Sequence, residues 1–316
     1  MVARTALRML PVLAALALAA GCGRSAESPA GKRARVLCTV YPVYILASEI
    51  AQGCPGVEVT LLLPAAAGCP HDIALTPDAA RRIASCDVLL ANGLGLEPFL
   101  KESEKAYPKL RVVELAEAAL DAADGSPGGK AAEHGHAHGN GTNPHLFASP
   151  KRAARYARAI GEAMAAVAPA DAAHLRANAS ALAARLDALA GEFALAARRL
   201  PEARRRIVTM HEAFDWLAAD AGLVVVGTVL PVEGKAPSAA DRIALFKAIR
   251  EKGAAAVFSE PQYSAAAAAA VAREAGVPVA LFDPVASGPA DAGPGYYAAA
   301  MRENLETLEA ILGERK

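Results

Sequence analysis

The 316-residue sequence has no excess of charge of either sign: 33 basic side chains balance 33 acidic ones, and the formal net charge is zero. There is no global field to hold a polyanion, which argues against a nucleic-acid binder and leaves any ligand to be found locally. Aromatics are scarce, at 5% with a single Trp, while about a quarter of the chain is Ala, so helices are favoured over a bulky aromatic core. The composition excludes disordered and collagen-like classes. The length suits two modest domains with real cores. After the first 22 residues, no stretch reaches the roughly 20 apolar residues of a membrane span without a charge or a turn signal.

Residues 1–22 read as an export signal: Arg4 and Arg8 form a basic start, an apolar run follows from Met9 to Ala20, and Ala19-Ala20-Gly21 precede Cys22. Small residues before a Cys resemble a bacterial lipobox, in which Cys22 is lipidated and anchors the chain to a membrane. The alternative is a cleaved, soluble periplasmic protein. Residues 23–32 form a polar tether. Four cysteines then remain, Cys38, Cys54, Cys69 and Cys86, and an oxidising compartment permits disulfides without fixing their pairing. Cys54 and Cys86 each precede a predicted strand, so a bridge between them at one end of a sheet is one expectation.

Apolar, β-branched runs at about 35–40, 57–63, 87–91 and 111–114 alternate with helical stretches at about 42–52, 77–85 and 95–106, as in parallel-sheet βα units. A second series places strands near 205–210, 223–228, 255–259 and 277–281, with helices near 212–221, 238–252 and 263–275. Between them, residues 150–200 are rich in Ala, Arg and Leu with one internal proline, Pro169. This predicts a first helix ending near 168 and a long second one to 199, with Leu175, Leu182, Leu186 and Leu189 along one face. The expected fold is therefore α/β: an N-terminal lobe over 33–168, a rigid connecting helix over 169–203 and a C-terminal lobe over 204–316. Residues 118–144 lack apolar periodicity and read as a loop.

The seven histidines divide by context. His134, His136 and His138 lie in that loop among Gly and Ala, and His174 falls in the connecting helix. His71, His145 and His211 occupy loops or element boundaries. His71 and His211 follow strands in different lobes, Glu260 and Asp283 follow strands of the second series, and ligands of open α/β sheets gather beyond the carboxyl ends of strands. Three imidazoles and a carboxylate suit a four-coordinate Zn²⁺ site with Zn–N distances of about 2.0–2.1 Å. A lone His after a strand is also a common hydrogen-bonded structural residue, so spacing alone leaves both readings open.

Several motifs, in order, are similar to those of the zinc- and manganese-binding solute-binding proteins of bacterial ABC importers. They are Thr39-Val40-Tyr41-Pro42, Pro70-His71-Asp72 with Leu75-Thr76-Pro77, and Asn92-Gly93-Leu94-Gly95-Leu96-Glu97-Pro98-Phe99-Leu100 in the N-terminal half. Asn143-Pro144-His145 comes next. His211-Glu212-Ala213-Phe214-Asp215-Trp216-Leu217, Phe258-Ser259-Glu260-Pro261-Gln262 and Leu281-Phe282-Asp283-Pro284 follow in the C-terminal half. The resemblance covers most of the chain after the export signal. It implies two α/β lobes joined by a rigid helix, a metal ion held in the cleft between them, and delivery to a membrane permease driven by a cytoplasmic ATPase. It implies His71, His145, His211 and Asp283 as ligands. His at the third position favours Zn²⁺ over Mn²⁺, because imidazole is the better partner for zinc.

Two motifs depart from the family pattern: Phe147-Ala148-Ser149-Pro150 replaces the usual continuation after the second ligand, and Cys69 stands where many members carry Asp. Cys69 is therefore an alternative ligand or a neighbour of the site. Glu260, Glu212 and Asp72 are candidates to accept the second N–H of a ligating imidazole. The loop histidines are expected to collect metal weakly.

The expected function is a monomeric, non-enzymatic metal receptor, periplasmic or at the cell surface. A zinc hydrolase is the rival reading, but His211-Glu212 lacks a second His four residues on, where Asp215 stands. A surface adhesin is a third reading.

Overall fold

The computed structural model describes residues 32–67, 75–120, 142–231 and 235–313. Cys22, Cys69, His71, Asp72 and the loop histidines His134, His136 and His138 lie outside the described residues.

The first lobe builds a four-stranded sheet from β1 (Ala34–Cys38), β2 (Val57–Leu61), β3 (Val88–Ala91) and β4 (Val112–Glu114). Every pair is parallel, and the order is β2-β1-β3-β4. The crossovers include α1 (Tyr41–Ile50), α2 (Pro77–Ser85) and α3 (Leu100–Ala106), and the short α4 (Leu115–Ala119) follows the last strand. Thr76 caps α2 by accepting from Ala79 N, and Pro77 opens the helix with a φ already suited to it.

Two antiparallel helices follow, α5 (Pro150–Val167) and α6 (Ala172–Arg199), split at Pro169 as the sequence predicts. At 28 residues, α6 is about 42 Å long. The Leu face predicted for it is buried, with Leu175, Leu182, Leu186 and Leu189 at 1% exposure or less. The helices approach closely because Gly161 of α5 faces Ala179 of α6, where any side chain would collide.

The second lobe repeats the topology: β5 (Arg206–Thr209), β6 (Val224–Thr228), β7 (Ala256–Ser259) and β8 (Val279–Leu281) pair in parallel in the order β6-β5-β7-β8. They are connected through α7 (Asp215–Ala221), α8 (Ala239–Lys252) and α9 (Ala265–Ala275). Ser238 and Asp241 form a reciprocal capping box at the start of α8. The last helix, α10 (Tyr296–Leu312), has no counterpart in the sequence-based reading. It packs against α1 and α6 as well as β8.

The strand period of two divides the C-lobe core. Ile207 joins a cluster that continues through α6 into the N-lobe, from Leu37 and Leu90 to Trp216 and Phe258. Its neighbour Val208 points to the opposite face, where Val226, Leu245, Ile249 and Val271 form a separate cluster under α8 and α9.

The expected Cys54–Cys86 bridge does not form: Cys38, Cys54 and Cys86 are all free thiols. The sheet order explains the correction. β1 lies between β2 and β3, so the segments leading into those strands are about 10 Å apart across two strand spacings, beyond the reach of a disulfide. Burial pushes the Cys86 thiol up to about 11.

Candidate metal centre

In both sheets the chain order reverses beside the first strand, between β1 and β3 in one lobe and between β5 and β7 in the other. Such switch points leave a crevice beyond the carboxyl ends of the strands, and each one here anchors a histidine.

In the C-lobe, β5 leads through Met210 into His211, which is buried at 1% exposure. Thr209 Oγ1 donates to the His211 carbonyl at 2.8 Å and fixes the turn. The adjacent strand β7 leads into Glu260, also 1% exposed. Its Oε1 lies 2.8 Å from His211 Nδ1 and accepts from the His211 backbone N–H at 3.3 Å. Glu260 Oε2 accepts from Gln262 Nε2 at 2.7 Å. Both carboxylate oxygens are thus engaged, so Glu260 orients the imidazole.

In the N-lobe, the buried Glu97 carboxylate accepts from Thr39 Oγ1 after β1 and from the backbone N–H groups of Asn92 and Gly93 after β3. Burial raises its pKa, and these three bonds oppose the shift. Asn92, held in turn by Tyr156 Oη at 2.9 Å, donates through Nδ2 to the Pro144 carbonyl at 3.0 Å. This pins the segment that carries His145, which is fully buried. His145 donates its backbone N–H to Asn143 Oδ1 at 2.9 Å, and its Nδ1 lies 2.8 Å from the same oxygen.

The two imidazoles meet, with ring centroids 5.1 Å apart and planes perpendicular. Phe147 packs edge-on to His145 and Tyr263 to His211. The acceptors facing Nδ1 are a carboxylate oxygen in one case and an amide oxygen in the other, so both rings carry a proton on Nδ1. In the neutral form of such a ring the lone pair sits on Nε2.

Asp283 follows β8 and Phe282, and its backbone is clamped by Asn304, which accepts from Asp283 N at 2.8 Å and donates to Asp283 O at 2.7 Å. Its Oδ1 accepts from Val285 N at 2.7 Å. Val285 is fully buried and holds φ at 60°, a left-handed conformation that costs a β-branched residue about 1–3 kcal/mol. Beyond it, Gly288 N donates to Ala65 O and Tyr41 Oη donates to Pro289 O, so the segment after Asp283 is tied to the N-lobe. Burial raises the Asp283 pKa, and the charges of Glu260 and Glu303 add to the shift. Glu212 contributes its backbone carbonyl to Asn143 Nδ2 at 2.8 Å. Burial and the Glu212 charge lift Asp215 to about 7.

The structure therefore brings His145, His211 and Glu260 together. Among the described residues, no group of three or more His, Cys, Asp or Glu side chains is placed to hold a metal ion. His174 lies away from the pair, on exposed α6 surface with its ring against Gly53. Asn143 and Gln262 have roles that no sequence reasoning assigned. The available signal was their position, two residues from a candidate ligand and two residues from Glu260 respectively.

The family model described as the periplasmic zinc-uptake complex component A, ZnuA, matches residues 36–311. The chain belongs to the ZnuA family. Among curated relatives of this ZnuA-family chain, the zinc-binding lipoprotein AdcA of Streptococcus pneumoniae is 28% identical over 298 residues, covering 90% of this chain and 57% of the relative. The chain thus spans little more than half the length of that protein. Among solved structures, the SBP FpvC of Pseudomonas aeruginosa in complex with Mn²⁺ is 27% identical with a TM-score of 0.73, covering 89% of this chain and 98% of FpvC. The Zn(II)-bound ZnuA-like domain of Streptococcus pneumoniae AdcA, at 23% identity, shares the fold with a TM-score of 0.70 over 89% of this chain and 100% of that domain.

Proposed function

We propose that this member of the ZnuA family is an extracytoplasmic zinc receptor that captures the ion between its lobes and delivers it to an ABC permease powered by a cytoplasmic ATPase. The observation that carries the reading is the His145–His211 pair. Two buried imidazoles from the switch points of two different lobes stand 5.1 Å apart, each with Nδ1 facing an acceptor, which in a neutral ring leaves the lone pair on Nε2. A ligating histidine has this arrangement, with the second nitrogen donating to an acceptor that sets ring orientation and basicity.

In this proposal His71 supplies the third imidazole and Asp283 the carboxylate, with Cys69 as the alternative donor beside His71. Four protein donors close the zinc coordination shell, which suits a carrier and leaves no position for the activated water of a hydrolase. His134, His136 and His138 collect zinc weakly outside the tight site, Cys22 carries the lipid anchor, and the receptor acts as a monomer. The name of AdcA, a zinc-binding lipoprotein, supports both cargo and anchor. The Mn²⁺ complex of FpvC favours manganese as the second reading, although three imidazoles match zinc better.

Elemental analysis of the protein purified from its native compartment without added metal tests the proposal. Near-stoichiometric zinc is the expected result, near-stoichiometric manganese selects the second reading, and the absence of both overturns the function.

A further inference from the structure

Asn143 makes directed contacts to the segments that carry both histidines. Its Oδ1 accepts from the His145 backbone N–H at 2.9 Å and faces His145 Nδ1 at 2.8 Å. Its Nδ2 donates to the Glu212 carbonyl at 2.8 Å, one residue beyond His211. Its own backbone carbonyl accepts from Trp216 Nε1 at 2.9 Å. Asn143 is 4% exposed and Trp216 is 1% exposed, so these bonds form where solvent does not compete. One planar amide therefore grips the imidazole of one ligand with its oxygen and the backbone beside the other ligand with its nitrogen. The amide cannot be reversed without placing an N–H against the His145 backbone N–H and an oxygen against the Glu212 carbonyl.

We infer that Asn143 is a positioning residue that holds His145 in the Nδ1–H tautomer and sets its spacing from His211, so that the two imidazoles form a preassembled half-site before an ion arrives. This rests on the zinc-receptor reading above. The physical argument is the one that applies to any acceptor behind a ligating imidazole: it fixes which nitrogen carries the lone pair, and its loss costs about 10–100-fold in metal affinity. Asn143 differs from a simple acceptor because its donor arm is spent on the loop of the partner ligand. Removing it frees both the tautomer and the inter-ring distance.

The test combines a spectroscopic signature with competition titrations using Zn²⁺ alone on the full chain. In metal-free wild-type protein at about pH 8, where imidazole is neutral, long-range ¹H–¹⁵N correlations are expected to show His145 protonated on Nδ1. An Nε2–H tautomer there overturns the inference without recourse to any variant. Asn143→Ala is expected to mix the His145 tautomers and weaken zinc binding about tenfold or more, whereas Asn143→Asp, which keeps the acceptor but sets its second oxygen against the Glu212 carbonyl and Asp215 Oδ2, restores only the Nδ1–H tautomer. A folded Asn143→Ala protein with wild-type affinity, or an Asp variant no better than Ala in the tautomer readout, also overturns it. His145→Ala separates this inference from the function: unchanged zinc affinity in that variant sinks the receptor site itself, while a loss there without a loss in Asn143→Ala sinks only the role of Asn143.

Discussion

His211 and His174 have the same side chain in opposite settings. The first is buried between Glu260 and the ring of His145, and the second rests on the surface of α6 against Gly53. His211→Ala is therefore expected to weaken zinc binding about tenfold or more, since it removes one of four bonds from a closed shell, and His174→Ala to leave it unchanged. A zinc titration of both variants checks the assignment, and equal losses would refute it. Asp283→Ala is expected to weaken binding to a similar degree, because this carboxylate neutralises part of the ion's charge. Unchanged affinity would remove Asp283 from the ligand set. That His145 and His211 would stand at loop or element boundaries was legible in the sequence, because one follows Pro144 and the other a strand end; their meeting was not. The role of Asn143 was not, since its partners lie about 70 residues away in the chain and only the folded topology brings them near.

At the scale of elements, α5 and α7 are joined by a buried ion pair. Arg152 holds Asp220 through Nε and an Nη atom at 2.9 Å each, and Lys151 and Ser149 add bonds to the same carboxylate. The guanidinium also stacks on Trp216, 4.8 Å from the ring centre. The Arg152 side chain is 3% exposed and that of Asp220 7%, so removing one partner strands a charge. Asp220→Ala is expected to lower stability by about 3–5 kcal/mol, read from urea denaturation at neutral pH. The pH dependence follows from the direction of the Asp220 shift. Although burial alone would raise its pKa, the hydrogen bonds from Arg152, Ser149 and Lys151 hold it below the ordinary value of 3.8. The contribution is complete above that value and is lost as pH falls through the folded-state pKa, so wild type and variant should converge in stability only in acid. Seven of the eight strands fall within the runs read from the sequence and β1 starts one residue before its run, because the strands of these parallel sheets are largely continuous apolar segments. Two helices were missed. α4 is five residues long, too short for periodicity to register, and the start of α10 contains Ala298, Ala299 and Ala300, which dilute the stripe of Tyr297, Met301, Leu305, Leu308 and Leu312.

For the molecule as a whole, proton competition should govern loading. Neutral imidazole is the ligand and ordinary His titrates near 6.5, so zinc affinity is expected to fall as pH drops through about 6. A flat affinity between about pH 7.5 and 5.5 in a competition assay would count against a three-histidine site. Deleting residues 131–140 is expected to leave one tight site and remove only weaker zinc binding in the same titration. Loss of the tight site from a folded deletion variant would place a loop histidine in it. The core that runs from Leu37 through Leu182 of α6 to Phe258 and Phe282 has a calorimetric consequence. Neither sheet can lose its packing without exposing surface that the other also covers, so melting should give one endotherm for both lobes. Zinc, by favouring only the folded form, should carry that whole peak to higher temperature without splitting it. If the chain were severed between α5 and α6, each fragment would be left with half an interior.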